Sequence, residues 1–382
     1  MGDRPPRGGC AGPGVGHRNR SGRAAAGAHP GAVLQDRGAL GIGAGRRPGC
    51  RVPRRDAPAG RDCRLGAAIR SRHGDLLTDQ GHRHALRRIV AGTPYPDHVI
   101  DERPPEHVMA AFGQKGGEPQ PLGGAWEGGW RSGEIVLSMI ADHARAAWSA
   151  KVRETLFVDG LRLARPVRST DGRYVVSGWR ADTFVSGEPE PRHDEVVSAG
   201  VRLHEATAPL ERPRFLTQTP VPPWTDVDVF TVADRAAWDD RPLQALPLGA
   251  PELPKSEDRE RSVELVTQLA GLRKPTTSPS QLVHGDLYGT VLFTGTAAPG
   301  ITDITPYWRP ASWAAGVAVV DALSWGEADD GLLERWDTLP EWPQMVLRAM
   351  MFRLAVHALH PRSTAEAFPG LLRTTALVRM AL

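Results

Sequence analysis

Every one of the 11 Trp and 8 Phe residues lies beyond position 98, so any large apolar core in this chain of 382 residues must be built from its last 284. Residues 1–98 hold 18 Arg, 7 Asp and 19 Gly, with no Lys and no Glu. Ordering a backbone costs about 1–2 kcal/mol per residue. A segment with so little large apolar surface has nothing to set against that cost. It is expected to be a disordered extension. Arg, Gly, Ala and Pro are also what GC-rich codons generate in any reading frame. The reading that leads is therefore upstream sequence translated from a misassigned start, with the true start near Val99, against a genuine disordered extension.

The net charge of +3 conceals an asymmetry, about +11 on the head and −8 on the body. A basic head could signal a nucleic-acid arm, but arginine without any lysine argues against a selected one, and no nucleic-acid partner is expected. In the head, Gly41-Ile-Gly43-Ala-Gly45 is followed by Arg46 where a dinucleotide-binding loop needs its third glycine. Cys10, Cys50 and Cys63 have no zinc-like pairing. No apolar run reaches signal-peptide or membrane-spanning length. A cytoplasmic protein with no membrane partner is the expectation.

From residue 99 the pattern is organised. Residues 104–112 read as a short helix opened by prolines. The glycine-rich stretch 123–133 followed by Ile135-Val136-Leu137 reads as a tight β-hairpin. Ala144, Trp148, Val152 and Leu156 mark an amphipathic helix. Strands are expected at 163–167 and 174–177, a hinge over 178–191, and a helix over 195–204. Few periodic elements stand out between 208 and 258. Helical periodicity returns over 260–273, short strands over 282–293 and 299–304, and helices over 314–326, 340–359 and 364–381. The plan is α+β in two lobes, a small β-rich N-lobe over 99–180 and a larger, mostly helical C-lobe over 181–382.

The segment richest in chemistry is Leu282-Val283-His284-Gly285-Asp286-Leu287, with Asp303 following Gly300-Ile301-Thr302. It reads as a strand, a tight loop presenting a carboxylate, a return strand and a second carboxylate at a strand end. Two carboxylates so placed suit a site that accepts a hydroxyl proton and holds Mg²⁺. Asp321, in an apolar helix, reads as a satisfied structural carboxylate, because a buried charge needs a partner.

The His-Gly-Asp-Leu loop resembles that of the aminoglycoside phosphotransferase and choline-kinase-like families, which share the protein-kinase-like fold. More narrowly, the stretch resembles an actinobacterial family of unknown function in that superfamily. The resemblance implies ATP and Mg²⁺ as cofactors, Asp286 as catalytic base and His284 as the residue that fixes its loop. It implies Asp303 as metal ligand, with Thr290 as an auxiliary one. It places Gly123, Gly124, Gly128, Gly129 and Arg131 over the phosphates, and Glu154 as the helix acid of the nucleotide site. Two departures stand out. Val291 occupies the position of a metal-binding Asn, and no Lys follows the hairpin on Ile135–Met139.

Two functions follow. One is an ATP- and Mg²⁺-dependent phosphotransferase acting on a hydroxyl of an unknown small molecule, its turnover weakened by the two losses. The other is a pseudokinase-like nucleotide- or ligand-binding scaffold without turnover. The acidic body suits a cationic acceptor such as an amino sugar or choline.

Overall fold

The computed structural model describes residues 102–221, 224–239 and 255–382. All of them belong to one compact unit. The expectations placed on residues 1–98 lie outside the described residues.

The chain enters through helix α1 (Glu106–Ala111), with Pro105 at its N-cap. Strands β1 (Gln120–Pro121), β2 (Trp130–Ser132) and β3 (Ile135–Met139) follow, β1 and β2 being joined by the glycine-rich turn. Helix α2 (His143–Thr155) starts where the Asp142 carboxylate accepts the amides of Ala144 and Arg145. Then come β4 (Arg162–Leu163), β5 (Pro166–Val167), β6 (Val175–Val176) and β7 (Trp179–Thr183). The principal sheet runs β1-β2-β3-β7-β5, with β6 also paired to β7.

β7 departs from the sequence-based expectation, which placed a hinge across these residues. It lies inside the sheet, paired to β3 from Ile135↔Thr183 to Met139↔Trp179, and on its other edge to β5 and β6. Alternation of apolar and polar residues normally marks a half-buried strand. Here Trp179 and Ala181 alternate with Arg180 and Asp182, and all four are buried. A charged pair hidden in the interior makes a central strand look like an exposed linker. Helix α2 shows the same effect. Trp148, Val152 and Leu156 pack only partly against the core, whereas the fully buried face is Ala146, Ser149, Ala150 and Arg153.

Beyond the sheet the structure is mainly helical: α3 (His193–Thr207), α4 (Asp226–Trp238) and α5 (Glu257–Ala270), then α6 (Ala311–Trp325), α7 (Leu332–Arg335), α8 (Trp342–Leu359) and α9 (Phe368–Met380). Helix α4 is absent from the sequence-based plan. Asp- and Pro-rich flanks hide it, yet Thr225 and Asp228 form a reciprocal capping box at its start. Helix α8 is mostly apolar, buried on nearly all sides, and packs against α4, α5, α6 and α9, as expected of a helix at the centre of a core. Two small sheets lie between α5 and α6 in the chain. β8 (Gln281–His284) pairs with β11 (Pro306–Arg309), and β9 (Val291–Leu292) with β10 (Gly300–Ile301), which also pairs with β4. They hold the loops 285–290 and 302–305. The α+β plan, one β-sheet part followed by a helical part, is the one expected. No helix of the described residues is long and apolar enough to cross a membrane.

Candidate active site

β8 delivers His284 to the interior, 2% exposed. Its Nδ1 accepts the backbone N–H groups of Asp286 and Thr305, both at 3.3 Å. Its own backbone N–H donates to Nε2 of His204 at 3.0 Å. Gly285 has no room for a side chain, because a Cβ there would run into the Tyr307 ring. His284 therefore ties the loop 285–290 to the backbone at Thr305. Asp286 then projects outward with its side chain 50% exposed, held by Nη2 of Arg353 at 3.1 Å. Arg353 is itself locked by Asp321, through Nε at 2.7 Å and Nη2 at 2.5 Å. Burial raises the Asp321 carboxyl to about 6 although Arg353 pulls it down. Asp321 is thus the satisfied buried carboxylate the sequence suggested, and it anchors the arginine that orients Asp286.

The imidazole pair makes the loop sensitive to acid. Burial holds both rings below their ordinary value, His204 as far as about 3 with the neighbouring His284 adding to the effect. Both accept hydrogen bonds through a ring nitrogen and must be neutral to do so. In the unfolded chain they take up protons near pH 6.5. The unfolded state therefore binds more protons below that pH, and stability falls as pH falls. The expected result is a loss beginning near pH 6.5 and continuing towards about 3, with a slope of up to about 1.4 kcal/mol per pH unit per histidine. Urea titrations at stepped pH measure it, and His204→Gln should flatten the dependence. A stability unchanged between pH 7 and pH 5 would contradict the neutral pair.

Asp303 is placed very differently. Its Oδ1 accepts from Ser149 Oγ at 2.5 Å and from the amide of Ile304 at 2.7 Å, with Nε of Arg153 at 3.2 Å. Its Oδ2 is bound by Nη1 of Arg180. Burial alone would raise this carboxyl, but Arg180 and Arg153 outweigh it and hold Asp303 well below the usual carboxylate range. Arg153 also donates to Asp182 at 2.8 Å and to the carbonyl of Ala164 at 2.7 Å. Arg180 reaches Glu127 at 3.1 Å. Two arginines and three carboxylates thus form one network around a small cavity of about 140 Å³, lined by Glu127, Arg145, Ser149, Arg180, Asp303 and Thr305 among others.

This arrangement does not fit a Mg²⁺ ion, which is usually held by one or two carboxylates with oxygens free to bind it. Both oxygens of Asp303 are engaged. Thr290, the expected auxiliary ligand, instead donates its hydroxyl to the carbonyl of Asp286 at 2.6 Å and so closes the loop. Val291 lies in β9, 1% exposed among apolar neighbours, where an Asn would bury its carboxamide rather than face a metal. Among the described residues no group of three or more His, Cys, Asp or Glu side chains is placed to share a metal ion.

The residues expected over the phosphates are also differently employed. In the turn from Gly123 to Gly129 the amides of Trp126, Glu127, Gly128 and Gly129 all donate within the turn, so they do not point at an anion. Gly124 lies in a short 3-10 helix, Gly128 has a φ of 69°, and Gly123 is open to solvent on its Cβ side. Gly129 is required for packing, since a Cβ would sit 2.5 Å from Ser138 Oγ and 2.9 Å from Val136 Cγ1. Gly129→Ala should cost about 1–3 kcal/mol through overpacking. Thermal or urea unfolding measures it, and an unchanged stability would show that the turn is not seated on β3. Arg131 lies over the Phe184 ring at 3.7 Å and donates to the carbonyl of Gly133 at 2.9 Å. Glu154 is corrected most plainly. It faces outward, bound by Arg168 at 2.9 Å and by Tyr174 at 2.7 Å, and takes no part in the cleft.

Its neighbour Arg153, 0% exposed, takes the inward position on α2. Arg180 is directly opposite Ser138 in the β3–β7 register, so a cation enters the cleft from the strand adjacent to the one where lysine was expected. The sequence reading missed Glu127, Arg153, Arg180, Asp182 and Arg353. The alternation of Arg180 and Asp182 with Trp179 and Ala181 was the signal available for two of them.

The turn is also pinned from below. Thr302 Oγ1 donates to the carbonyl of Ala125 at 2.8 Å. Trp126 stacks on Phe184 at 5.8 Å and packs with Val136, Ala164, Val185 and Leu292. The glycine-rich turn therefore lies closed on the strands beneath it, with Trp126 buried under it and Glu127 on the cavity at Asp303.

No family model matches the chain, and no curated protein matches it. Among solved structures it is similar to a thermostable mutant of aminoglycoside phosphotransferase APH(4)-Ia in ternary complex with AMP-PNP and hygromycin B, at 14% identity and TM-score 0.44, covering 72% of this chain and 98% of that one. Spectinomycin phosphotransferase APH(9)-Ia, in complex with ADP and spectinomycin, overlaps at 12% identity and TM-score 0.41, covering 69% and 91%. An aminoglycoside phosphotransferase from Alicyclobacillus acidocaldarius overlaps at 15% identity and TM-score 0.42, covering 73% and 95%. These overlaps are too loose to transfer the role of any residue.

Proposed function

We propose that this domain is a phosphotransferase that acts on a hydroxyl of a small molecule, with Asp286 as the proton acceptor and a glycine-rich turn that has to lift before the donor enters. The observation that carries the reading is Asp286 itself. It is half exposed, on a loop fixed by His284, and oriented by an arginine whose other partner is a buried carboxylate. A carboxylate so held can take the proton of an acceptor hydroxyl as its oxygen attacks. A nucleoside triphosphate, as co-substrate, supplies its terminal phosphoryl group: the new O–P bond forms as the β,γ-anhydride bond breaks, and the nucleoside diphosphate leaves. Arg180, at the cleft and already bound to carboxylates, is suited to exchange one of them for phosphate. Asp303, engaged by Arg153, Arg180 and Ser149, does not serve as a metal ligand in this reading.

A second reading, a binding scaffold without turnover, is favoured by that same engagement of Asp303 and by Glu127 on the cavity beside it. The two separate in one experiment. Nucleotide binding is followed by thermal shift and ATP consumption by a coupled assay over a panel of amino sugars, amino alcohols and neutral sugars. Turnover that Asp286→Asn removes while nucleotide binding persists supports the transferase. Binding without turnover in the wild-type chain supports the scaffold. Absence of nucleotide binding overturns both in their nucleotide-dependent form.

A further inference from the structure

The network at Asp303 has one acid more than its arginines neutralise. Arg153 and Arg180 are already matched by Asp182 and Asp303. Arg153 lies 2.8 Å from Asp182 and 3.2 Å from Asp303. Arg180 lies 3.4 Å from Asp182 and in direct contact with Asp303. Asp142 and Arg145, which also line the cavity, lie 3.8 Å apart and offset each other. Glu127 is thus a third carboxylate on two guanidinium groups, and it leaves the site one negative charge in excess. The other four groups of the network are carried by α2, β7 and the loop after β10, whereas Glu127 comes from the glycine-rich turn. Its side chain is 56% exposed, against 17% or less for the other four.

The backbone at Glu127 lies in the left-handed region, at φ 53°, a conformation that favours glycine. Turn geometry therefore selects against glutamate at this position. What offsets the strain is the carboxylate seated on Nη2 of Arg180 at 3.1 Å. A guanidinium takes carboxylate and phosphate in the same geometry, so that carboxylate holds the place of a phosphate oxygen. It also fastens the turn to β7, beside the bond of Thr302 to the Ala125 carbonyl and the stack of Trp126 on Phe184.

We propose that Glu127 is an autoinhibitory latch, its carboxylate occupying on Arg180 the place of a phosphate of the incoming nucleotide. The inference rests on the reading of the domain as nucleotide-dependent. With Glu127 seated, the turn is closed and the excess negative charge opposes a polyphosphate. When the turn lifts, Glu127 carries that charge into solvent, and the remaining pairs of Arg153 and Arg180 with Asp182 and Asp303 are neutral. The phosphate then replaces one carboxylate on Arg180, and no covalent bond changes.

The test is calorimetric titration of ATP into the full chain as wild type, Glu127→Gln and Glu134→Gln. Glutamine keeps the size of the side chain and can still accept from Arg180, and Glu127 is half exposed, so the fold tolerates the change. Glu134 is the control acid at the next turn, 89% exposed and 3.6 Å from Arg131. The expected result is ATP affinity at least tenfold tighter in Glu127→Gln and within twofold of wild type in Glu134→Gln. Binding that becomes measurable only in Glu127→Gln is the same result at its limit. Equal or weaker affinity in Glu127→Gln, or an equal gain from Glu134→Gln, would overturn the latch and leave the assignment of Asp286 untouched, since turnover is not read. ATP bound by none of the three proteins would overturn the latch and the nucleotide-dependent reading together.

Discussion

Replacing Arg153 by Met should destabilise the domain by about 3–5 kcal/mol, the cost of breaking a buried ion pair from one side. Arg153 is 0% exposed and bridges Asp182, Asp303 and two backbone carbonyls. Methionine fills much of the same volume, so the loss is electrostatic rather than a cavity effect. Two carboxylates would be left with Arg180 as their shared cation. Loss on this scale is a large fraction of the roughly 5–15 kcal/mol that holds a typical domain together. Equilibrium urea unfolding measures it. A companion variant, Arg153→Met with Asp182→Asn, removes one uncompensated charge and should recover part of the loss. A single-variant effect below about 1 kcal/mol would mean that the network is solvated and that Arg153 is not its centre.

The same residues explain what could be read from the sequence. The catalytic-type loop was legible because its chemistry is local: His284, Gly285 and Asp286 are adjacent, between apolar strands, and the fold uses them together. The helices α6, α8 and α9 were legible because they are long and apolar. Arg153 and Arg180 were not, since each is buried by partners distant in the chain, Arg180 reaching Asp303 across 123 positions. No spacing rule announces such a contact, and an interior charge imitates a surface residue. The resemblance expects a carboxylate on that helix, and Glu154 is the acid the sequence offers there. The helix turns the adjacent arginine inward instead. Glycines 123–129 were read as an anion cradle, whereas their amides close on the turn itself and Gly129 answers to the packing of β3.

Turnover in the proposed transferase depends on Asp286. General-base assistance contributes about 10²–10⁴ in rate, so Asp286→Asn should lower kcat by that factor. Nucleotide affinity should stay within a few-fold, because the half-exposed side chain binds Arg353 and no group of the glycine-rich turn. The measurement that tests this most directly is single-turnover transfer of the terminal phosphoryl group of radiolabelled ATP to the best acceptor of the hydroxyl panel, in wild type and Asp286→Asn at equal protein concentration. The account predicts a labelled acceptor with the wild-type chain and at least a hundredfold slower labelling with the variant. Labelling at the same rate in both, or no labelled acceptor with a wild-type chain that binds ATP, would contradict it.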